Sequence, residues 1–459
     1  MITATGGAVL AGAALAQDVQ LGVAVVVALL LGPLSLINLP LAIVCWLPTV
    51  SLIAFATLDV GPNLAAIAIF LAWLGALAAS RSRMPALIVQ HRVVLTGVAV
   101  LVLWVMLSMA WAPNPEVGSY GFFGWIVALG IILVITTTLT DSRHIRLAIG
   151  AFILGAVISV AIGLFGGAVQ GGSDRIVGGS GDPNFLAAGI VPAMVLAFGL
   201  AASTQRAAVR VVMPVVVGLL AIGLLVSGSR GGLIAAIVAL VAVFILTKRR
   251  RAWIAVLMLL TAGVMGAAVS VDPGAWERIS DFSESSGRTE LWTVAWQVWE
   301  DHPAAGVGFQ GFVDHSSAYA RELGTLEFSE FLAEQPKVVH NGYLELLAET
   351  GIVGLALFLG VVIACMRQAW QATQLFERRG NAQMATVSRS VFAAIIAMLT
   401  AAFFISGSVD RRLWVLLALG PALAACAAIR ETRPEPAEPA LMARLSRTEG
   451  HPRSARPPQ

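Results

Sequence analysis

Hydrophobic and polar positions along this chain alternate on the scale of whole membrane spans. Apolar runs of roughly 18 or more residues with almost no charge recur, which is the length that crosses a bilayer as a helix. Beyond residue 57 the runs separate well, near 62–80, 93–111, 120–140, 146–168, 184–202, 209–227, 231–247, 252–271, 343–366, 388–408 and 413–430. The first 57 residues are one long apolar stretch interrupted at Gly32-Pro33 and Leu39-Pro40, which reads as one span or a tight pair. The pattern predicts an all-α polytopic membrane protein with about 12 transmembrane helices (12 or 13) and one large outer loop. Its regions are N-terminal spans over 1–271, the loop over 272–340, C-terminal spans over 341–430 and a Pro-, Glu- and Arg-rich tail over 431–459, expected to be disordered and cytoplasmic.

Composition agrees: of 459 residues 58% are hydrophobic and 12% charged, and the mean hydropathy is +0.86. Residues 1–17 lack the lysine or arginine of a signal-peptide n-region and read as part of the mature protein. Cys45, Cys365 and Cys426 fall in or beside apolar runs without metal-ligand spacing, so no disulfide or zinc site is implied. Charge sets the orientation. One set of loops carries Arg81, Arg83, Arg92, Arg143, Arg146, Arg206, Arg210, the run Lys248 to Arg251, Arg367, Arg378, Arg379 and Arg389, whereas the opposite short loops carry only Arg175, Arg230, Arg411 and Arg412. By the positive-inside rule the first set is cytoplasmic.

The 272–340 loop then faces outside, with twelve acidic residues against Arg278, Arg288, Arg321 and Lys337, a poor surface for nucleic acid or anionic lipid. Within it Leu291, Trp292, Ala295, Trp296 and Trp299 recur at helical spacing, predicting an amphipathic helix over 289–300, lying on the membrane surface or packing its tryptophans onto the bundle. That helix stops at Asp301-His302-Pro303, and the glycine-rich turn Gly306 to Phe312 follows without the Lys-Ser/Thr ending of a phosphate-binding loop. His302 and His315 have no diagnostic metal spacing, and no metal is expected. Apart from Glu345 and Glu349 the span interiors lack charge, which argues against an ion-coupled permease.

Three residues at the outer boundary stand out: Arg230, Arg288 and His340. His340 ends the polar excursion, where an imidazole can take a proton from a hydroxyl, or simply start a helix by bonding backbone. Arg230 sits in the tight turn Ser227-Gly228-Ser229-Arg230-Gly231-Gly232, as an anion holder or an arginine snorkelling to water. Arg288 holds an anion with it or pairs with Glu284 or Glu290. Two guanidiniums suit a lipid diphosphate, since each stays charged and binds phosphate bidentately. Asp182-Pro183-Asn184 reads as an N-cap and first helical turn, with the Asn184 amide able to help hold a phosphate or sugar.

In this order, Asp182-Pro183-Asn184, Ser229-Arg230-Gly231-Gly232, Gly287-Arg288 with Trp292, Gly306-Val307-Gly308 and His340-Asn341 through Leu344, Glu349 and Gly351 resemble the O-antigen ligase and O-antigen polymerase superfamily, over roughly 60–430. The resemblance implies a bundle similar to GT-C glycosyltransferases in the bacterial cytoplasmic (inner) membrane, multi-pass, with its active face outside. It implies an undecaprenyl-diphosphate-linked glycan donor, an acceptor that is a glycan, lipid-linked sugar or protein, inversion at the anomeric carbon, and no cofactor or metal. On it, His340 activates the acceptor and Arg230 and Arg288 hold the donor diphosphate; Asn184, Asn341 and Glu345 are further candidates for support. Ligase and polymerase stay undivided, a cell-wall glycan polymerase is a related enzymatic alternative, and a lipid-linked oligosaccharide flippase or a non-catalytic envelope scaffold are the other classes.

Overall fold

A computed structural model describes residues 19–52, 60–79, 83–167, 175–247, 263, 288–323 and 337–429. The expected span 252–271, apart from residue 263, and the tail lie outside them. Helices build everything described, with no strand element among the described residues. They are α1 (Val19–Ile37), α2 (Leu39–Trp46), α3 (Val60–Ala79), α4 (Arg83–Gln90), α5 (Arg92–Ser108), α6 (Pro115–Thr138), α7 (Ser142–Phe165), α8 (Pro183–Ser203), α9 (Ala207–Val226), α10 (Arg230–Leu246), α11 (Arg288–Asp301), α12 (Phe312–Leu323), α13 (Gly342–Arg378), α14 (Ala382–Ala401) and α15 (Arg411–Ile429). Among the described residues eight helices are long and apolar enough to cross a membrane, with shorter apolar helices at Leu39–Ser51, Ala65–Ala79 and Arg230–Leu246. The chain is an all-α polytopic membrane protein. At the N-terminus the chain forms a broken pair, split at Asn38, whose side chain accepts from the Leu41 N–H at 3.1 Å.

The centre of the bundle is α8, α14 and α15: α14 packs on both of the others and on α10 and α13, α8 on α7, α9 and α10, and α15 on α6 and α13. α8 and α15 are buried on nearly every side, from Leu186 to Phe198 and from Leu413 to Ala427. Around them α5, α9 and α10 turn apolar faces outward, with Leu103, Val211, Val215, Ile237 and Ile245 exposed. That distribution suits a hydrocarbon solvent, in which burying leucine in protein gains little over leaving it in lipid.

Two expected spans move. Helix α13 runs on to Arg378, past the expected end at 366, because Ala369, Ala372, Thr373 and Phe376 keep one face buried beyond the apolar core. It also breaks at Gly351, where φ is +67° and ψ −172°. Helix α14 spans Ala382–Ala401, where 388–408 was expected. The apolar Phe403-Phe404-Ile405 extended the reading, but the chain leaves the helix there and Ser406-Gly407-Ser408 makes a turn. That turn reaches the end of the bundle that carries His340.

The loop helix α11 corrects the expected tryptophan face. Leu291, Val294, Ala295 and Val298 form the buried stripe, against Val307, Phe312, Val339 and Ala348, while Trp296 is 46% exposed. Mostly aliphatic side chains and Phe312 fill this seam, with Trp292 packed at its edge; the other indoles lie at its flank, Trp296 donating to Glu300 Oε1 at 2.8 Å and Trp299 to Pro303 O at 3.2 Å. The helix therefore packs onto its own bundle, by its aliphatic residues.

Candidate active site

Helices α8, α10, α13 and α15 all start at the same end of the bundle, so their partial positive N-terminal charges gather there. Each start is secured locally. Asp182 Oδ1 accepts from the N–H groups of Asn184 at 2.7 Å and Phe185 at 3.0 Å. Ser229 Oγ accepts from the Gly232 N–H at 3.2 Å and donates to Asn184 Oδ1 at 2.8 Å, tying the start of α10 to that of α8. Asn341 Oδ1 accepts from Tyr343 and Leu344 at 3.1 and 3.2 Å. Thus two expected supporting residues have identified structural roles. Asn341 is the buried cap of α13, and Asn184 offers its oxygen to Ser229 and, at 3.4 Å, to Arg175 Nη2.

The structure brings the three candidate residues into one electrostatic neighbourhood. Arg288, the first residue of α11, is held below the usual guanidinium range first by burial, with Arg230 adding repulsion and Asp182 opposing. His340 is likewise held below the ordinary imidazole range, first by burial and then by Arg288 and Lys337, with Asp182 opposing. Its imidazole is consequently neutral near pH 7 and able to accept a proton. Arg288 thus shares one electrostatic neighbourhood with Asp182, Arg230 and His340.

His340 is also strained: φ is +53°, a left-handed conformation that a non-glycine residue adopts at a cost on the order of 1–3 kcal/mol. Neighbours hold it there. Its N–H donates to Ser406 Oγ at 3.0 Å, the next N–H but one, that of Gly342, donates to Ala402 O at 2.9 Å, and the Tyr343 hydroxyl donates to Leu399 O at 2.7 Å. Ser406, which holds the His340 backbone, also faces the Glu345 side chain.

The same helix is clasped from the loop side. The Val307 and Gly308 N–H groups donate to Ala348 O and Glu349 O at 3.0 and 2.9 Å, and Ile352 N–H donates to Pro303 O at 2.9 Å. Gly306 and Gly351 are required: a Cβ at Gly306 would lie 2.3 Å from the Glu349 carbonyl carbon, and one at Gly351 2.1 Å from Ala304 O. The buried Glu349 side chain faces the backbone of Gln310 and Phe312. Gly306-Val307-Gly308 is thus a backbone clasp on the kink after His340. His302 and His315 lie nearby with ring centroids 6.4 Å apart, His315 Nδ1 being 2.9 Å from Gly311 O. Among the described residues no group of three or more His, Cys, Asp or Glu is placed to hold a metal ion.

Sequence reasoning missed Ser406, Arg175 and the pair Asp410–Arg412. Arg412 Nη2 lies 2.5 Å from Asp410 Oδ2, both side chains are almost wholly buried, and Arg412 Nη1 donates to Phe185 O at 2.7 Å, bolting α15 to the first turn of α8. Arg175 Nε donates to Ser227 O at 2.9 Å and steadies the turn that presents Arg230. Arginine is scarce at this end, and that signal, used for Arg230, also marked Arg175 and Arg412.

A search of curated proteins found no match. Residues 214–359, the segment that carries Arg230, Arg288 and His340, match the family model described as O-Antigen ligase, and this match supports the assignment of the chain to the O-antigen ligase/polymerase family.

Proposed function

We infer that the protein is a membrane glycosyltransferase of the ligase or polymerase type, moving a glycan from a polyprenyl-diphosphate donor to an acceptor hydroxyl at the outer face of the bacterial cytoplasmic membrane. The observation that carries this reading is the half-buried, left-handed His340 in the field of Arg288, which itself lies in the field of Arg230. It supplies a neutral base next to fixed cations, as acyl- and glycosyl-transfer chemistry at a lipid phosphate needs.

In this reading the donor diphosphate lies against Arg230 and Arg288, over the N-termini of α8 and α10. His340 accepts the proton of the acceptor hydroxyl as its oxygen attacks the anomeric carbon. The new C–O bond forms as the bond to the diphosphate oxygen breaks, and polyprenyl diphosphate departs with its electron pair and added negative charge. Guanidiniums and helix N-termini stabilise that charge, and the reading includes no metal. Attack opposite the leaving group inverts the anomeric centre, as the family resemblance implies. The GT-C-like arrangement with about 12 spans belongs to the same proposal, as does the outward orientation, which follows from the arginine bias of the loops.

The test is transfer by purified full-length protein from a synthetic polyprenyl-diphosphate oligosaccharide to a panel of acceptors, with and without chelator, beside His340→Ala. Released polyprenyl diphosphate and a new glycosidic product, resistant to chelator and lost in the variant, is the expected result; a ladder of products indicates a polymerase, one addition a ligase. Tight donor binding without turnover on any acceptor overturns it in favour of a flippase or scaffold.

A further inference from the structure

At the end of the bundle opposite His340 a cavity of about 270 Å³ opens between α8, α9, α10 and α14. Its deeper wall is apolar, including Val195, Phe198 and Val243, and its rim carries Arg210, Thr247 and Arg389. Val195 to Gly199 lie 13 to 17 residues beyond Asp182 on α8, about 20–25 Å along the axis at 1.5 Å per residue. This cavity is therefore separate from the candidate active site, across most of the bilayer.

The rim charge is unevenly compensated. Arg389 pairs with Glu377. Arg210 is exposed; its Nε donates to Thr204 O at 3.1 Å and its Nη2 to Gln205 Oε1 at 3.2 Å, both neutral acceptors. Among the described residues no carboxylate forms an ion pair with Arg210, so the rim keeps a positive charge. In sequence Thr247 leads directly into Lys248-Arg249-Arg250-Arg251. Beside the rim the outer faces of α9 and α10 are apolar, with Val211, Val215 and Ile245 each more than 60% exposed. A guest here meets hydrocarbon on one side and fixed cations on the other.

We propose that this cavity binds an anionic phospholipid from the leaflet at the arginine-rich end, its phosphate at Arg210 and an acyl chain against Val195, Phe198 and Val243. Basic pockets between transmembrane helices on the cytoplasmic side take anionic headgroups for this electrostatic reason. An inorganic anion would leave the apolar wall unfilled, and a zwitterionic lipid would gain less from the rim. The site anchors the α8/α9/α10/α14 junction and is independent of the transferase reading.

Binding of phosphatidylglycerol, phosphatidylcholine and inorganic phosphate to detergent-purified full-length protein is measured by native mass spectrometry and by the shift in thermal midpoint. Wild type is expected to retain phosphatidylglycerol saturably and in preference to phosphatidylcholine, with no matching shift from phosphate. Arg210→Glu changes the local charge by two and weakens retention on the order of thirtyfold. Val243→Phe fills the apolar wall with every charge unchanged and also lowers retention. Equal binding of the two lipids by wild type, or a shift reproduced by phosphate alone, overturns the proposal without any variant. Unchanged retention in both variants, each eluting as wild type does, overturns it as well.

Discussion

The two ends of the bundle use charge in opposite ways. At the arginine-rich end Arg206 and Arg210 are exposed, and on the proposed orientation the charges there act as a group to set the topology. At the other end charges are few and withdrawn from water: Asp410 and Arg412 are buried as a pair, Arg288 and His340 are held below their ordinary ranges by burial, and His340 sits in a left-handed backbone. Solvated charges are individually dispensable, because water replaces their partners. Desolvated charges are not, since losing one leaves its partner buried and uncompensated. Strain and desolvation, more than the number of arginines, distinguish the end proposed to carry the chemistry.

The largest effect that sharpens this contrast is His340→Ala. Loss of a general base lowers transfer by about 10²–10⁴-fold while donor binding is nearly unchanged, measured as product formation beside donor retention; full activity in the variant removes the general-base role. Next is a matched pair across the two ends. Arg412→Ala strands the Asp410 carboxylate and is expected to cost about 3–5 kcal/mol of stability, read from denaturant unfolding in detergent. Arg206→Ala, exposed at the other end, is expected to leave the same transition in place. If both variants shift equally, burial is not what separates the ends.

How much of this was legible depended on distance along the chain. Asp182 at the cap of α8 was readable because caps are local chemistry, and the loop's glycine-rich turn declared itself by composition. The meeting of Arg230, Arg288 and His340 came from the resemblance and from their shared side, and the structure brings them together. What sequence did not show were partners far apart along the chain. Ser406 reaches His340 across 66 residues and Arg412 reaches Phe185 across 227. Phe403 to Ile405 hid the turn that delivers Ser406, because apolarity alone does not say whether a residue faces lipid or ends a helix. In α11 the tryptophans dominated the periodicity, although the seam they flank is filled by Leu291, Val294, Ala295 and Val298.

Arg230→Lys comes next in size. Charge is conserved, the bidentate fork is lost, and transfer is expected to fall on the order of 10²-fold, as for removal of one oriented donor at a developing anion. Wild-type turnover in Arg230→Lys leaves that arginine as a snorkelling residue, no different in kind from those at the other end.

The smallest effect, and the most diagnostic of mechanism, is a movement in pH. With His340 as the proposed general base its neutral form is the active one, so kcat/KM is expected to rise with pH through its pKa, and burial with Arg288 places that limb below the ordinary histidine value of about 6.5. Arg288 and Lys337 both press the value down, whereas Asp182 presses it up. Hence Arg288→Gln moves the acid limb to higher pH, Lys337→Gln moves it the same way by less, and Asp182→Asn moves it lower. Each shift is read from where the limb falls along the pH axis, so a loss of height from weakened donor binding leaves the comparison intact. Opposite signs for Arg288→Gln and Asp182→Asn follow only if both charges act on one imidazole; shifts in one direction, or none, separate His340 from the cationic cluster and return it to a helix-start role.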